Sequence, residues 1–263
     1  MTLIRELESH WLACMATVGG GRVTRLEGAV VLVSPRFPAT FLNFMVLRGA
    51  TPERLGSVLE VGGAVMSAAG FPPALFIGPE AGDEGALAAA LSGQGWRRAE
   101  RQVVLARDLP AGGMAAPAGV HVQEIGRDRL AAWGHLLVAA YAVPPEAGAV
   151  IQSAWSRLFA QPGEGSRSRY YLGHLGLEPA GTGMVWMQGE VAGLYCGAVL
   201  PHLRRRGVER ALVVRRLADA ARDGARLAVV QTAAQSPVQH LCVDRLGFRV
   251  VYERELWLPL FRL

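Results

Sequence analysis

The residues with the most chemical potential form one run, Leu203-Arg204-Arg205-Arg206-Gly207-Val208-Glu209-Arg210-Ala211-Leu212. It follows an apolar, strand-like stretch and opens a stretch of helical periodicity. A glycine at such a turn lets backbone come close to a ligand, and the first N–H groups of the helix, which have no partner within it, point at an anion. The arginines add forked donors suited to phosphate oxygens. The run is therefore a candidate phosphate cradle, and its competing reading is a solvated basic helix start.

Fewer residues offer acid–base or nucleophilic chemistry. Tyr195 and Cys196 lie in the strand-like stretch before the cradle, and Glu190 just precedes it. His202, His240 and Glu253 are further titratable candidates, each with a surface or packing role as its alternative. Cys196 reads as a small buried hydrophobe before it reads as a nucleophile, because no histidine is fixed beside it by sequence. Trp155, Tyr170, Tyr171 and Trp186 read as core packing. No spacing of His, Cys, Asp and Glu resembles a metal site, so no metal is expected.

Composition narrows the classes. The chain has 263 residues, half of them hydrophobic, and all 27 basic side chains are arginine. Residues 1–116 carry 10 arginines against 10 acids, and residues 117–263 carry 17 against 12. The excess positive charge thus sits in the second half and favours an anionic ligand there. Three arginines at one turn, without basic and aromatic residues interleaved along a face, argue against nucleic acid. Cys14, Cys196 and Cys242 have no paired spacing, and no apolar run reads as a membrane span or export signal. A soluble, cytoplasmic protein with no membrane partner is expected.

The elements that must position the cradle come in a definite order. Strand 120–125 is followed by helix 128–141, a helical piece over 146–160, and strands at 169–176, 181–188 and 191–199. Helix 208–223, strand 227–232, helix 237–246 and strand 249–257 complete the half. The helix from Val208 is expected to bury Ala211, Val214, Ala218 and Ala221. Ser236, Pro237 and Gln239 form a capping-box pattern for the next helix. The first half runs in a shorter version of this order: an opening helix with Leu3, Leu7, Trp11 and Cys14 on one face, strands 28–34 and 41–47, a helix capped by Thr51-Pro52, strand 74–78, helix 83–92 and strand 96–107. Gly95-Trp96-Arg97 and Gly247-Phe248-Arg249 lead into similar apolar strands, which suggests an internal repeat. The Pro/Gly/Ala segment 110–119 suggests a boundary, giving domains 1–115 and 116–263.

Strand 191–199, the arginine–glycine turn, the helix after it, strand 227–232 and the Leu246-Gly247-Phe248 turn together resemble the GNAT acetyltransferase superfamily. The resemblance implies an α+β fold of two GNAT-like halves, each a mixed, mostly antiparallel sheet flanked by helices, the first half being a degenerate copy. In that family the turn reads Arg/Gln-x-x-Gly-x-Gly/Ala and its backbone holds the coenzyme A pyrophosphate. Arg204 and Gly207 fill its first and fourth positions. The resemblance further implies that the strand ending at Val199 splays from strand 227–232, so that pantetheine lies against Gly197, Ala198 and Val199. Arg204, Arg205, Arg206, Gly207, Val208, Glu209 and Arg210 would line the rest of the coenzyme site.

Three departures bear on activity. Glu209 stands where the family has Gly or Ala; at about 6 Å from a phosphate its charge would cost on the order of 2 to 3 kcal/mol at an effective dielectric near 20. It is expected to point away from the coenzyme. Val243 replaces the tyrosine that protonates the leaving thiolate in many members, with Tyr195, Cys242 or solvent as substitutes. The strand lacks an internal carboxylate, which leaves Glu190 as the nearest candidate base. The first half lacks the Arg-x-x-Gly spacing in Leu47-Arg48-Gly49-Ala50-Thr51-Pro52, and Asn43 before it is a candidate wall of an acceptor pocket. The implied activity is direct transfer of acetyl from acetyl-CoA, as co-substrate, to a small-molecule or peptide amine, in a chain that could be a homodimer. The alternative is an acyl-CoA-binding module without catalysis.

Overall fold

The computed structural model describes residues 2–35, 37, 39–109, 114–143, 148 and 166–260. Of the helical piece expected over 146–160 only Gly148 is among them, so that piece and Trp155 lie outside the described residues. The chain forms two compact units. Unit 1 takes the chain up to Val104, the segment Thr232–Ser236 and the chain from Val250 onward; unit 2 takes Leu105–Gln231 and Pro237–Arg249. The first change from unit 1 to unit 2 falls at 104/105, and both units are discontinuous. Composition marks where a chain can bend, whereas these units are set by which strands pair, and local sequence does not carry that information.

Unit 1 opens with α1 (Leu3–Gly19), whose N-cap Thr2 accepts from the Arg5 amide. A hairpin follows, β1 (Arg22–Leu26) and β2 (Ala29–Val33), turning at Gly28 with φ +83°. β1 is absent from the sequence expectation because its alternation, Arg-Val-Thr-Arg-Leu, is too polar to read as a core strand. β3 (Phe44–Leu47), α2 (Pro52–Ala68), β4 (Leu75–Ile77), α3 (Glu84–Gly93) and β5 (Trp96–Asp108) come next. The returning strand β11 (Arg249–Pro259) lies between β4 and β5, giving the order β1-β2-β3-β4-β11-β5. Trp11 stacks on Phe44 with centroids 4.7 Å apart, and Phe76 meets both edge-on. Into this aromatic core comes buried Arg254, whose guanidinium carbon lies 3.4 Å from the Trp11 ring centroid and whose Nη1 lies 3.5 Å from the Glu8 carboxylate.

Unit 2 contains β6 (Val120–Ile125), α4 (Leu130–Ala140), β7 (Ser166–Leu175), β8 (Glu178–Gln188), β9 (Val191–Val199), α5 (Val208–Arg222) and β10 (Leu227–Ala233). The sheet runs β10-β9-β8-β7-β6, antiparallel from β9 to β6 and parallel between β9 and β10. Both units are therefore α+β with mixed, mostly antiparallel sheets. The expected 237–246 helix is one α-helical turn, α6 (Pro237–His240), that widens into a π-helical turn over Leu241–Arg245.

The buried face of α5 also departs from expectation. Ala218 is exposed and Ala221 half-buried, while Val208, Ala211, Leu212, Val214, Arg216, Leu217 and Asp219 are buried. The helix buries two charged residues because each has partners: Tyr171 donates to Asp219 at 2.9 Å, and Arg216 is bonded as described below. A hydrophobic pattern misses such a face, since paired charges can go inside. Among the described residues no helix is long and apolar enough to cross a membrane, and no group of three His, Cys, Asp or Glu could hold a metal.

Candidate functional site

The site begins where β9 parts from β10. The two strands pair over three rungs only, Val191 with Leu227, Ala192 with Ala228 and Gly193 with Val229. From Leu194 to Val199 the β9 edge facing β10 carries no ladder. On its other side, β8 sets Met184 opposite Tyr195 and Thr182 opposite Ala198, so that Gly183 alone faces both Cys196 and Gly197. Two residues against one make a β-bulge, which bends the strand and raises its twist. Cys196 accordingly has φ +52°, rare for a residue with a side chain, and Thr182 Oγ1 donates to its carbonyl at 3.0 Å.

Arg216 lies beneath the bulge and is 1 % exposed. Its Nε donates to the Leu212 carbonyl at 3.0 Å, its Nη1 donates to the Tyr195 carbonyl at 3.2 Å, and its Nη2 lies 3.5 Å from Glu209 Oε1. Glycines make room for this pair. A Cβ at Gly183 would come within 3.0 Å of the Arg216 guanidinium, and one at Gly197 within 3.0 Å of Glu209 Oε1. Glu209 thus turns back against β9, the strand on which the resemblance places the pantetheine, instead of pointing away from it. Burial raises its carboxyl pKa above 4.5, an effect that Arg216 opposes in part. Tyr141, just past α4, is about half exposed.

The turn after β9 has the geometry of a cradle. A 3-10 turn over Pro201–Leu203 leads to Arg205 at φ +62° and Gly207 at φ +85°, and α5 starts at Val208. The first bond closing the helix runs from the Ala211 amide to the Gly207 carbonyl, so the amides of Val208, Glu209 and Arg210 precede it and face outward along the axis. A Cβ on Gly207 would lie 3.1 Å from the Pro117 side chain. Arg205, Arg206 and Arg210 are exposed. Arg204 is committed elsewhere: its Nε donates to the Val199 carbonyl at 3.1 Å and its Nη2 to the Ala140 carbonyl at 3.0 Å, fastening the end of β9 to the end of α4.

The expected catalytic residues are scattered. Tyr195 is buried at the bulge, with its carbonyl on Arg216. Glu190 sits in the β8–β9 turn and is ion-paired with Arg226 at 2.9 Å, at the opposite end of β9. Six residues at about 3.3 Å each separate it from the bulge, which excludes it as a base there. His202 is exposed beside Glu178, His240 is exposed on α6, and Glu253 belongs to unit 1, paired with Arg101. Burial pushes the Cys196 and Cys242 thiols up to about 12, which makes both poor proton donors or nucleophiles at neutral pH. Val243 is 37 % exposed. Asn43 is buried: it accepts from the Ser34 amide at 2.7 Å and donates to the Phe37 and Ala39 carbonyls, fixing its own loop in unit 1.

Arg216 is a residue of the site that no sequence motif marks. A signal for Arg216 lies in the glycines of two adjacent strands, Gly183 and Gly197, which leave space that something large must fill.

No protein-family model and no curated protein sequence matches the chain. Solved structures do match. A GCN5-related N-acetyltransferase from Kribbella flavida superposes with a TM-score of 0.72 at 19 % identity, covering 98 % of this chain and 96 % of that one. A conserved protein of unknown function from Staphylococcus epidermidis gives 0.70 at 12 % identity over 91 % and 94 %. A tandem GNAT protein from the clavulanic acid biosynthesis pathway gives 0.58 at 18 % identity over 87 % and 77 %. With the splayed strand, the bulge and the glycine turn in the order the resemblance requires, the protein has the fold of the GCN5-related N-acetyltransferases.

Proposed function

We propose that the protein is an N-acetyltransferase whose unit 2 binds acetyl-CoA and transfers the acetyl group directly to an amine of a small molecule or peptide. The observation that carries this reading is the continuity of two binding features: an unladdered β9 edge from Leu194 to Val199, and, directly after it, the outward amides of the Gly207 turn. Backbone groups on the β9 edge suit pantetheine, an extended amide chain, as an added strand would. The amides at the start of α5, with Arg205, Arg206 and Arg210, suit the pyrophosphate.

In the transfer, the amine nitrogen attacks the thioester carbonyl, its proton leaves to water, and the C–S bond breaks to release coenzyme A. A free alkylammonium, with a pKa near 10.4, must lose a proton before attack. A thiol of pKa near 8.5 leaves as thiolate without an acid, which accommodates Val243. Backbone amides of the bulged strand would steady the developing oxyanion. The first half is read as a degenerate copy that binds no coenzyme.

Calorimetric titration with acetyl-CoA, beside a folded Gly207→Val variant, tests the reading. Native binding that the variant loses is expected; no native binding, or equal binding by both, removes it. A second reading, an acyl-CoA-binding module without transfer, is favoured by the position of Glu190 far from the bulge. Single-turnover mixing with a panel of amines separates the two, since the module would bind acetyl-CoA and leave it intact.

A further inference from the structure

We infer that Arg216 is a positioning residue of the cleft: its buried guanidinium holds the Tyr195 carbonyl and so keeps the β9 bulge open, and Glu209 is retained at the start of α5 as its counter-charge. The kinetic consequence rests on the proposed donor site. The clamp itself does not, because it can be read without a ligand.

A guanidinium stays protonated in proteins, so an arginine 1 % exposed must find acceptors or destabilise the fold. Arg216 finds three, on α5 (Leu212), β9 (Tyr195) and the first turn of its own helix (Glu209). The bond to Tyr195 matters most. In a regular strand that carbonyl would lie in the sheet and accept from a neighbouring strand. Here it accepts from a helix side chain, one residue before Cys196 adopts a left-handed backbone and two before Gly197 passes over Glu209. Taking the Tyr195 carbonyl onto α5 removes an acceptor on the β8 side of β9, opposite Met184, at the point where the bulge begins; on its other side β9 also pairs with β10 only briefly. The pairing stops two residues earlier, at Gly193.

The clamp also accounts for Glu209 standing where a small residue is usual. A carboxylate near a phosphate site is unfavourable by itself, but removing it would leave Arg216 with a buried, unbalanced charge. The space fits the pair: Gly183 lies against the guanidinium and Gly197 against the carboxylate. The two residues form one device, with the helix start supplying the counter-charge and the helix middle supplying the clamp.

The test uses the full chain in five forms: native, Arg216→Lys, Arg216→Met, Glu209→Gln and the Arg216→Met/Glu209→Gln double variant. Hydrogen exchange is followed over 194–199 and over the β7–β8 pair, with thermal unfolding and, where acetyl-CoA is turned over, kcat and donor KM. Arg216→Met is expected to lower the unfolding temperature, and the double variant to regain much of the loss because no charge is left alone. In the double variant 194–199 should exchange on the order of tenfold faster or slower than native, as the edge loosens or joins the ladder, with β7–β8 unchanged. Its donor KM should rise on the order of tenfold with a smaller change in kcat, and Arg216→Lys should restore part of it. Native-like exchange over 194–199 in the double variant overturns the clamp. A double variant no more stable than Arg216→Met overturns the counter-charge. Failure of the native protein to bind acetyl-CoA would instead overturn the proposed function, leaving the exchange result to decide the clamp.

Discussion

A strand, a tight turn and a helix occur in the same order in both units, and the turns differ in what their amides face. In unit 1, β3 pairs with β4 through Val46 and Phe76, one residue short of its end. The amides of Gly49 and Ala50 then donate to the Glu80 and Ala81 carbonyls at 2.8 and 2.7 Å, and Arg48 pairs with the Glu80 carboxylate. The backbone closes so tightly that a Cβ on Gly82 would lie 2.6 Å from the Ala50 carbonyl. In unit 2 the strand loses its ladder with β10 with six residues still to run, and the amides at the start of α5 look outward. The same local architecture is thus closed by its own chain in unit 1 and left open at the start of α5 in unit 2.

The largest expected effect breaks unit 1 alone. Arg254→Met would leave Glu8 buried beneath Trp11 with its nearest guanidinium gone and only the Tyr252 hydroxyl and a more distant Arg48 to answer it. A loss of about 3 to 5 kcal/mol is expected, in line with breaking one side of a buried pair. Chemical denaturation reads it. If Arg254 served ligand binding in place of the unit 1 core, stability would hold and acetyl-CoA affinity would fall.

The next effect contrasts two glycines. Gly207→Val adds strain at φ +85° and a contact with Pro117, and is expected to weaken acetyl-CoA binding by about 1 to 3 kcal/mol. Gly49→Ala, at φ +59° with nothing within 4 Å of the new Cβ, should cost stability alone, about 1 kcal/mol, with affinity unchanged. Parallel titrations check both. An affinity loss in Gly49→Ala equal to that of Gly207→Val would remove the distinction between the units.

Much of this arrangement was legible in the sequence. The β9 boundaries, the Gly207 turn and the start of α5 follow from an apolar run, a glycine and a helical pattern, all of which act locally. What was not legible depends on distant partners. The return of Val250 onward to unit 1 is a matter of strand pairing. Asn43 looked like a pocket residue because a polar side chain in an apolar strand suggests function, when its three bonds are to its own loop. Arg216 was hidden for the opposite reason: an arginine on a helix reads as surface until Gly183 and Gly197, from other elements, are known to lie over it. Glu190 lies at the other end of β9 from the bulge, because proximity in sequence to a strand does not say which end of the strand a residue sits at.

A smaller effect separates the arginines of the turn. Arg204→Ala removes two bonds to carbonyls and should cost about 1 kcal/mol of stability. Arg205→Ala and Arg206→Ala, at exposed positions, should stay within about 0.5 kcal/mol of native stability while lowering acetyl-CoA affinity in a salt-dependent way. The reverse pattern would assign the phosphate to Arg204.

The smallest expected effect is in pH, and it again belongs to unit 2. The Glu209 carboxyl has a folded pKa above its ordinary 4.5 because burial disfavours the charge more than Arg216 favours it. As pH rises past 4.5 the unfolded chain releases this proton first, so the native state loses stability until the raised folded pKa is passed, and is level above it. Glu209→Gln should therefore flatten the unfolding free energy across that window. Above it, the ionised carboxylate near the cradle opposes phosphate, so acetyl-CoA affinity should decline over the same range in the native protein and not in Glu209→Gln. Arg254→Met, which alters only unit 1, should lower stability while leaving this decline in affinity in place. Parallel affinity profiles for native and Glu209→Gln would mean that the carboxylate remains neutralised by Arg216 at every pH and does not reach the phosphate site.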